Sequence, residues 1–441
     1  MKQILMTLLV AFVVLPAVAQ TVAITNAEIH TVSGDVIANG TIVLQDGEIT
    51  AVGTTAAVPS GARVIDGTGK VVTPGLMDSG SQVGLTEVGS TPATRDAVTS
   101  EKDFGASFNP VWAVNPDNTH IPITRLRGVT SSIIGPGGSE LFTGQGAAIA
   151  LDGETVADML RRESVAVYSA MGESGASRAG GSRAAIYQRL HDALWDARAK
   201  MLSPDDADED SEGKSDSKKD SKKKKSADKD EPKDARAEGG RSSLNKRNLA
   251  ALQDVVSGKT PLVVSVNRVS DLRLALKLKE EFEIRLVIRG GAEAWRIADE
   301  LATAGVPVIV GAMRNLPTFD GLSASLANAG RLQAAGVEVL LTGGRALPHH
   351  AGLAVANGMN HAAALRAATL GPAIVWGLSD SMGSLENGKV ADVVVWSGDP
   401  FELSTIAEHV FIGGREIPND SRQERLFDRY RDLGSYRRAG Q

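Results

Sequence analysis

The chain has 441 residues, 42% of them hydrophobic and 23% charged, with a formal charge of −6 and no cysteine. That length and apolar content support a large core, built as two domains or as one barrel with an accessory domain. The missing thiols exclude disulfides, a cysteine nucleophile and thiolate metal sites, and the acidic balance with only 4% aromatic residues argues against a nucleic-acid partner and against stacking platforms.

Met1 and Lys2 precede an apolar run over residues 4–18, shorter than the roughly 20 residues that cross a bilayer. The run ends in Ala17-Val18-Ala19-Gln20, a small-x-small pattern that signal peptidase accepts. Residues 1–19 therefore read as a cleaved export signal, and the mature protein is expected in the periplasm or secreted. No later segment reads as transmembrane. Over 20–73 the pattern predicts short strands at 22–24, 42–44 and 49–52, with Asp46-Gly47 as a hairpin turn between the last two.

Strands and helices alternate most clearly after residue 260. Apolar runs at 262–266, 286–288, 306–310 and 337–341 each precede a helical period, the last continuing to about 368. Four such units in succession imply a parallel sheet. A closed barrel and an open doubly wound sheet both satisfy this signal, and the β segments at the two chain ends favour a (β/α)8 barrel over 74–380. Residues 203–241 interrupt it with an acidic block at 205–210, four lysines at 222–225 and almost no apolar side chains. This insertion is expected to be disordered. Its simplest role is that of a tolerated surface insertion; the lysines also suit a docking tail or scaffold, for which deletion of 203–241 would release a partner. Further strands are predicted at 393–396 and 409–412, so 381–420 reads as a second part of the terminal β unit and 421–441 as a helical tail.

Four segments carry a resemblance. They are Pro74-Gly75-Leu76-Met77-Asp78-Ser79-Gly80-Ser81-Gln82, Gly128-Val129-Thr130-Ser131-Ser132, the stretch 364–373 and the stretch 383–392. Together they resemble the amidohydrolase superfamily, most nearly its exported imidazolonepropionase-like members. The resemblance implies a (β/α)8 TIM-like barrel with a small composite β-sandwich made by both chain ends. It also implies hydrolysis of non-peptide C–N bonds at the C-terminal mouth of the barrel, where one or two divalent ions make hydroxide available near neutral pH and polarise the carbonyl.

Such a site asks for imidazoles after the first, fifth and sixth strands, a carboxylate after the eighth, and a bridging Lys or Glu after the fourth. At the matching positions stand Gly80 and Gln82, then Ser265 and Asn267, then Gly290 beside the cation Arg289, and finally Gly344 in Leu341-Thr342-Gly343-Gly344-Arg345. Only Glu173, in Gly172-Glu173, keeps a first-choice donor, and its default reading is a surface or ion-paired residue. Gly80, Gln82, Glu173, Ser265, Asn267, Gly290 and Gly344 are therefore the candidate remnant pocket, with no catalytic residue, metal ligand or cofactor expected.

The expected function is that of a degenerate amidohydrolase, a non-catalytic subunit or ligand-binding relative paired with an active amidohydrolase paralogue or with itself as a homo-oligomer. The alternative is an active hydrolase of amides, N-acyl amino acids or cyclic amides, using zinc or another divalent ion and an unorthodox site at Glu173, His349 or His350. His349-His350 is the only adjacent histidine pair and follows the eighth strand; solvated loop residues are its default reading. The only near match to a nucleophile elbow, Gly172-Glu173-Ser174-Gly175, lacks the required spacing. Gly135-Pro136-Gly137-Gly138 suits either a tight turn or an anion-facing row of backbone N–H groups.

Overall fold

A computed structural model of the protein describes residues 21–101, 103–202, 242, 244–311, 318–418 and 420–431. Residues 1–19, read from the sequence as an export signal, the charged insertion at 203–241 and the last ten residues of the tail lie outside the described residues.

The chain enters through five strands, β1 (Val22–His30), β2 (Val36–Gln45), β3 (Glu48–Gly53), β4 (Arg63–Asp66) and β5 (Val71–Pro74). As predicted, the β2–β3 hairpin closes at Asp46-Gly47. The barrel region follows with β6 (Leu76–Ser81), β7 (Val98–Thr99), α1 (His120–Arg125), β8 (Val129–Ile134), β9 (Gly137–Gly138), β10 (Phe142–Ala150), α2 (Val156–Met159) and β11 (Leu160–Ala170). Next come α3 (Gly172–Arg178), α4 (Arg183–Leu202) and α5 (Lys246–Val256). Strand–helix units then run β12 (Leu262–Val266), α6 (Val269–Phe282), β13 (Leu286–Gly290), α7 (Ala298–Thr303), β14 (Val308–Val310), α8 (Asn328–Ala334) and β15 (Val339–Leu341).

The barrel strands follow chain order in one eight-stranded sheet, β6-β8-β10-β11-β12-β13-β14-β15. Its two edges meet through side chains: the Thr342 hydroxyl, just after β15, lies 2.6 Å from Asp78 Oδ1 and 2.9 Å from the Gly80 carbonyl on β6. The sheet departs from a strict (β/α)8 pattern at one strand. β10 runs antiparallel to both β8 and β11, because the link from β8 to β10 is far shorter than the dozen or more residues that a parallel crossover needs.

The two-residue period of the strands decides what faces the barrel interior. Val263, Val287, Ile309 and Leu340 join Met77, Ile133 and Tyr168 in one buried interior cluster. Their neighbours Val264, Ile288, Val308 and Leu341 pack outward against the helices. The same alternation turns Ser265 and Arg289, two residues further along β12 and β13, inward at the mouth.

After β15 the chain forms α9 (Leu347–Ala356), α10 (His361–Ala367) and α11 (Leu370–Val375), then β16 (Val393–Trp396), β17 (Ala407–Ile412), β18 (Arg415–Glu416) and α12 (Arg422–Tyr430). The chain ends pair as expected, with β16 antiparallel to β5 and Val393 opposite Pro74. They do so in a single hydrogen-bonded sheet, β18-β17-β16-β5-β1-β2-β3 with β4 also on β1. Its core includes Ile24, Ile29, Ile42, Leu44, Val393 and Phe411.

Trp396 couples this sheet to the barrel. Its indole N–H donates to Thr73 Oγ1 at 2.9 Å, and its ring fills the space where a Cβ at Gly128 would stand, 2.2 Å from the nearest ring carbon. Gly128 also has φ +73°, so the turn into β8 needs a residue without a side chain on both counts. Among the described residues no helix is long and apolar enough to cross a membrane.

Candidate functional site

The C-terminal mouth of the barrel holds a cavity of about 780 Å³ whose lining includes Glu173, Ser265, Asn267, Arg289, Gly290 and Asp320. A smaller recess of about 170 Å³ shares Ser265 and Arg289 with it and adds Gln82, Tyr168 and Arg178. Five of the seven residues expected in a remnant pocket thus meet around one shared wall. Gly80 lies against it, since a Cβ built there would stand 3.7 Å from the Arg289 guanidinium. Gly344 sits apart: its N–H donates to Asp78 Oδ2 at 3.0 Å, helping to close the barrel seam.

Arg289 occupies the centre of this arrangement. It reaches across the mouth from β13 to β6 and donates Nη2–H to the Gly80 carbonyl at 3.4 Å. The sequence reading placed the sixth-strand position at Gly290. The strand period instead turns Arg289 into the barrel, while Gly290 adopts φ +96° and a Cβ there would lie 2.6 Å from Asn267 Oδ1. Asn267 Oδ1 accepts the Ala292 N–H at 3.3 Å, so the amide braces the turn after β13.

This donor set does not fit the divalent ion that the fold implies. Ser265 offers a neutral hydroxyl, Asn267 and Gln82 offer neutral amides, and the nearest strong charge is the cation of Arg289. Zinc prefers imidazole, carboxylate or thiolate donors. Among the described residues no group of three or more His, Asp or Glu side chains is placed to hold a metal.

Carboxylates at the mouth are mostly committed to structure. Asp78 is 1% exposed and receives hydrogen bonds from Gly343 N and Gly344 N as well as from Thr342. Arg183 spans two further carboxylates, at 3.3 Å from Asp271 and 2.6 Å from Asp320. Asp320 Oδ2 also accepts the Glu173 N–H at 2.6 Å and so fixes the start of α3. Burial is the main reason that the Asp271 carboxyl is held above the usual carboxylate range, with Arg183 opposing it. Glu173, in the first turn of α3, is exposed on the cavity rim.

Two buried polar groups border the recess without a partner. The Tyr168 hydroxyl, on a side chain 2% exposed, has no hydrogen-bond partner, and neither has Arg178 Nη1. Burial pushes the Tyr168 hydroxyl up to about 12, with Arg289 opposing and Asp78 reinforcing the shift, so it stays a neutral donor at physiological pH. Burial also lowers Arg178 from the usual guanidinium value, while Glu140 works against the shift.

The histidines contribute no metal ligand set. His349 and His350 lie in α9, where the sequence reading had a solvated loop. His350 Nδ1 is bonded to the Thr342 carbonyl at 2.7 Å, directly behind the seam. His191 pairs with Glu281 at 2.8 Å and His361 with Asp399 at 2.9 Å. His120 meets the Glu87 carbonyl, and His30 and His409 pair with Glu28 and Glu416 in the terminal sheet. The glycine segment at 135–138 is neither a tight turn nor an anion-facing row: Gly137–Gly138 pair with β7 as β9, and Gly135 N and Gly137 N donate to the carbonyls of Ser81 and Ala97.

Sequence reasoning noted Arg289 only as a neighbour of Gly290 and did not single out Tyr168. Both were detectable by counting two residues from an interior position along each strand. Arg178 and Asp320 carry no comparable signal, because loops and a short helix bring them to the mouth.

Comparison with known proteins agrees with this architecture. The sequence profile of the amidohydrolase family matches residues 299–417. No curated protein matches the sequence. Among solved structures, an amidohydrolase from Thermotoga maritima MSB8 is similar at 24% identity and a TM-score of 0.76, over 90% of this chain and 99% of that one. A prolidase complexed with N-methylphosphonate-L-proline is similar at 14% identity and a TM-score of 0.53, over 91% and 100% of the two chains. An adenosine deaminase from Xanthomonas campestris with bound zinc is similar at 17% identity and a TM-score of 0.50, over 95% and 98%. These likenesses show the fold, and the family profile matches the part of it that holds the last two barrel strands and the return to the terminal sheet.

Proposed function

We propose that this protein is a catalytically degenerate amidohydrolase, a ligand-binding member that works without a metal ion. One observation carries the reading: the Arg289 guanidinium reaches across the mouth to the Gly80 carbonyl, at the strand ends where the superfamily resemblance asks for metal-binding imidazoles. A fixed cation there repels a divalent ion and attracts anions. Without a metal, hydrolysis would need a positioned base and a nucleophile or activated water. Of the cavity carboxylates, Asp320 is engaged by Arg183 and the Glu173 N–H, and Glu173 stands at the exposed rim. In this reading the chain is exported by residues 1–19 and serves as the binding subunit beside an active amidohydrolase or a second copy of itself.

Turnover of dipeptides, N-acyl amino acids and cyclic amides, measured with added zinc or manganese, tests the proposal. The expected result is no turnover above buffer. Turnover that co-purifies with the protein and is abolished by Glu173→Gln would establish the opposite reading, an active hydrolase with an unorthodox site.

A further inference from the structure

We propose that the small recess beside the main cavity is a binding site for a compact oxyanion, a carboxylate or a phosphate group, and that the ligand of this protein carries that group. The inference rests on the reading of the barrel mouth as a ligand site and specifies which chemistry the ligand presents.

The recess is lined by side chains that donate. Arg178 and Arg289 both border it, together with Tyr168, Ser265 and Gln82. Two of these are buried and unsatisfied: Arg178 Nη1 and the Tyr168 hydroxyl have no hydrogen-bond partner. Buried donors are nearly always paired, so each such group needs an acceptor that the protein itself does not provide. Arg289 gives one long bond to the Gly80 carbonyl, and among the described residues no carboxylate pairs with it.

The nearby acids do not supply that acceptor. Asp78 acts on Tyr168 through its charge, but both its oxygens are engaged by Thr342, Gly343 and Gly344. Glu140 acts on Arg178 only through its charge. Arg178 and Arg289 border the same small space, and an anion between two like charges is favoured over either cation alone. An oxyanion there meets charge-assisted hydrogen bonds from both sides, and the phenol, neutral at physiological pH, adds a third donor.

The volume of about 170 Å³ suits one such head group, and the recess shares Ser265 and Arg289 with the larger cavity. Ordered water filling the recess is the competing occupant.

Isothermal titration calorimetry of the full chain with inorganic phosphate and with acetate, at constant ionic strength set with chloride, tests the assignment. One anion is expected to bind saturably at one site per chain. Arg178→Gln should weaken binding at least tenfold, Arg178→Lys less so, and Tyr168→Phe a few-fold, with unchanged circular dichroism. Phosphate preferred over acetate identifies a phosphate ester or free phosphate as the ligand class; the reverse identifies an organic acid. No saturable heat with either anion, or equal affinity in Arg178→Gln, overturns the site and leaves water as the occupant. That failure is separate from failure of the metal-free reading, which is decided by metal content and turnover.

Discussion

Gly290→Ala probes whether the position after Arg289, where the resemblance asks for an imidazole, is able to carry a side chain at all. Gly290 has φ +96°, and the new methyl would stand 2.6 Å from Asn267 Oδ1. The backbone conformation costs a residue with a Cβ about 1–2 kcal/mol. Relieving the contact displaces the Asn267 amide and weakens the hydrogen bond from Ala292 N, adding about 0.5–1.5 kcal/mol.

The expected loss is therefore about 2–3 kcal/mol, and imidazole at 290 would cost more. For a chain of this size that corresponds to a fall in Tm of roughly 2–4 °C, taking an unfolding entropy of about 2 cal/mol/K per residue. Differential scanning calorimetry of Gly290→Ala, Asn267→Ala and the double variant separates the two parts. Asn267→Ala removes the steric conflict but not the backbone strain, so the double variant should be more stable than the sum of the single losses predicts. A Gly290→Ala protein with unchanged Tm, or strictly additive losses, would refute the claim that Asn267 bars this position.

Other parts of the fold give further expectations. Gly128→Ala should destabilise by about 2–4 kcal/mol from overpacking against Trp396 and strain at φ +73°, read as a lower Tm; recovery in a Gly128→Ala, Trp396→Phe double variant would trace the effect to that contact. Asp392 is buried and held above the ordinary carboxylate range mainly by burial, with Arg161, the Gly413 N–H and Ser131 opposing. Its folded form keeps a proton that the unfolded chain has lost, so stability falls as pH rises from about 3.8 towards the raised folded value. Asp392→Asn should flatten that part of the Tm–pH curve, and curves parallel to wild type would count against the assignment.

How much of this was legible before the structure depended on which physical rule governed each residue. The strand–helix units after 260 were readable because apolar period and turn signals agree locally, and the pairing of β5 with β16 followed the resemblance. The antiparallel β10 was hidden because an alternating apolar run does not encode strand direction, which the short link from β8 imposes. At the mouth, Ser265, Asn267, Gln82 and Glu173 were found by position along the family frame. Arg289 was named only as the cation beside Gly290, because the family frame does not report direction, whereas the alternation from Val287 does. Arg178 and Asp320 come from a helix end and a short turn, where no sequence period reports what a side chain faces.

Metal content of the purified full chain, expressed with zinc and manganese in the medium, dialysed and counted by elemental analysis, addresses the central claim most directly. With Arg289 across the mouth and neutral groups at the strand ends, the account predicts a value near zero per chain. One or two ions per chain retained after dialysis would contradict it and return the protein to the metal-dependent hydrolases.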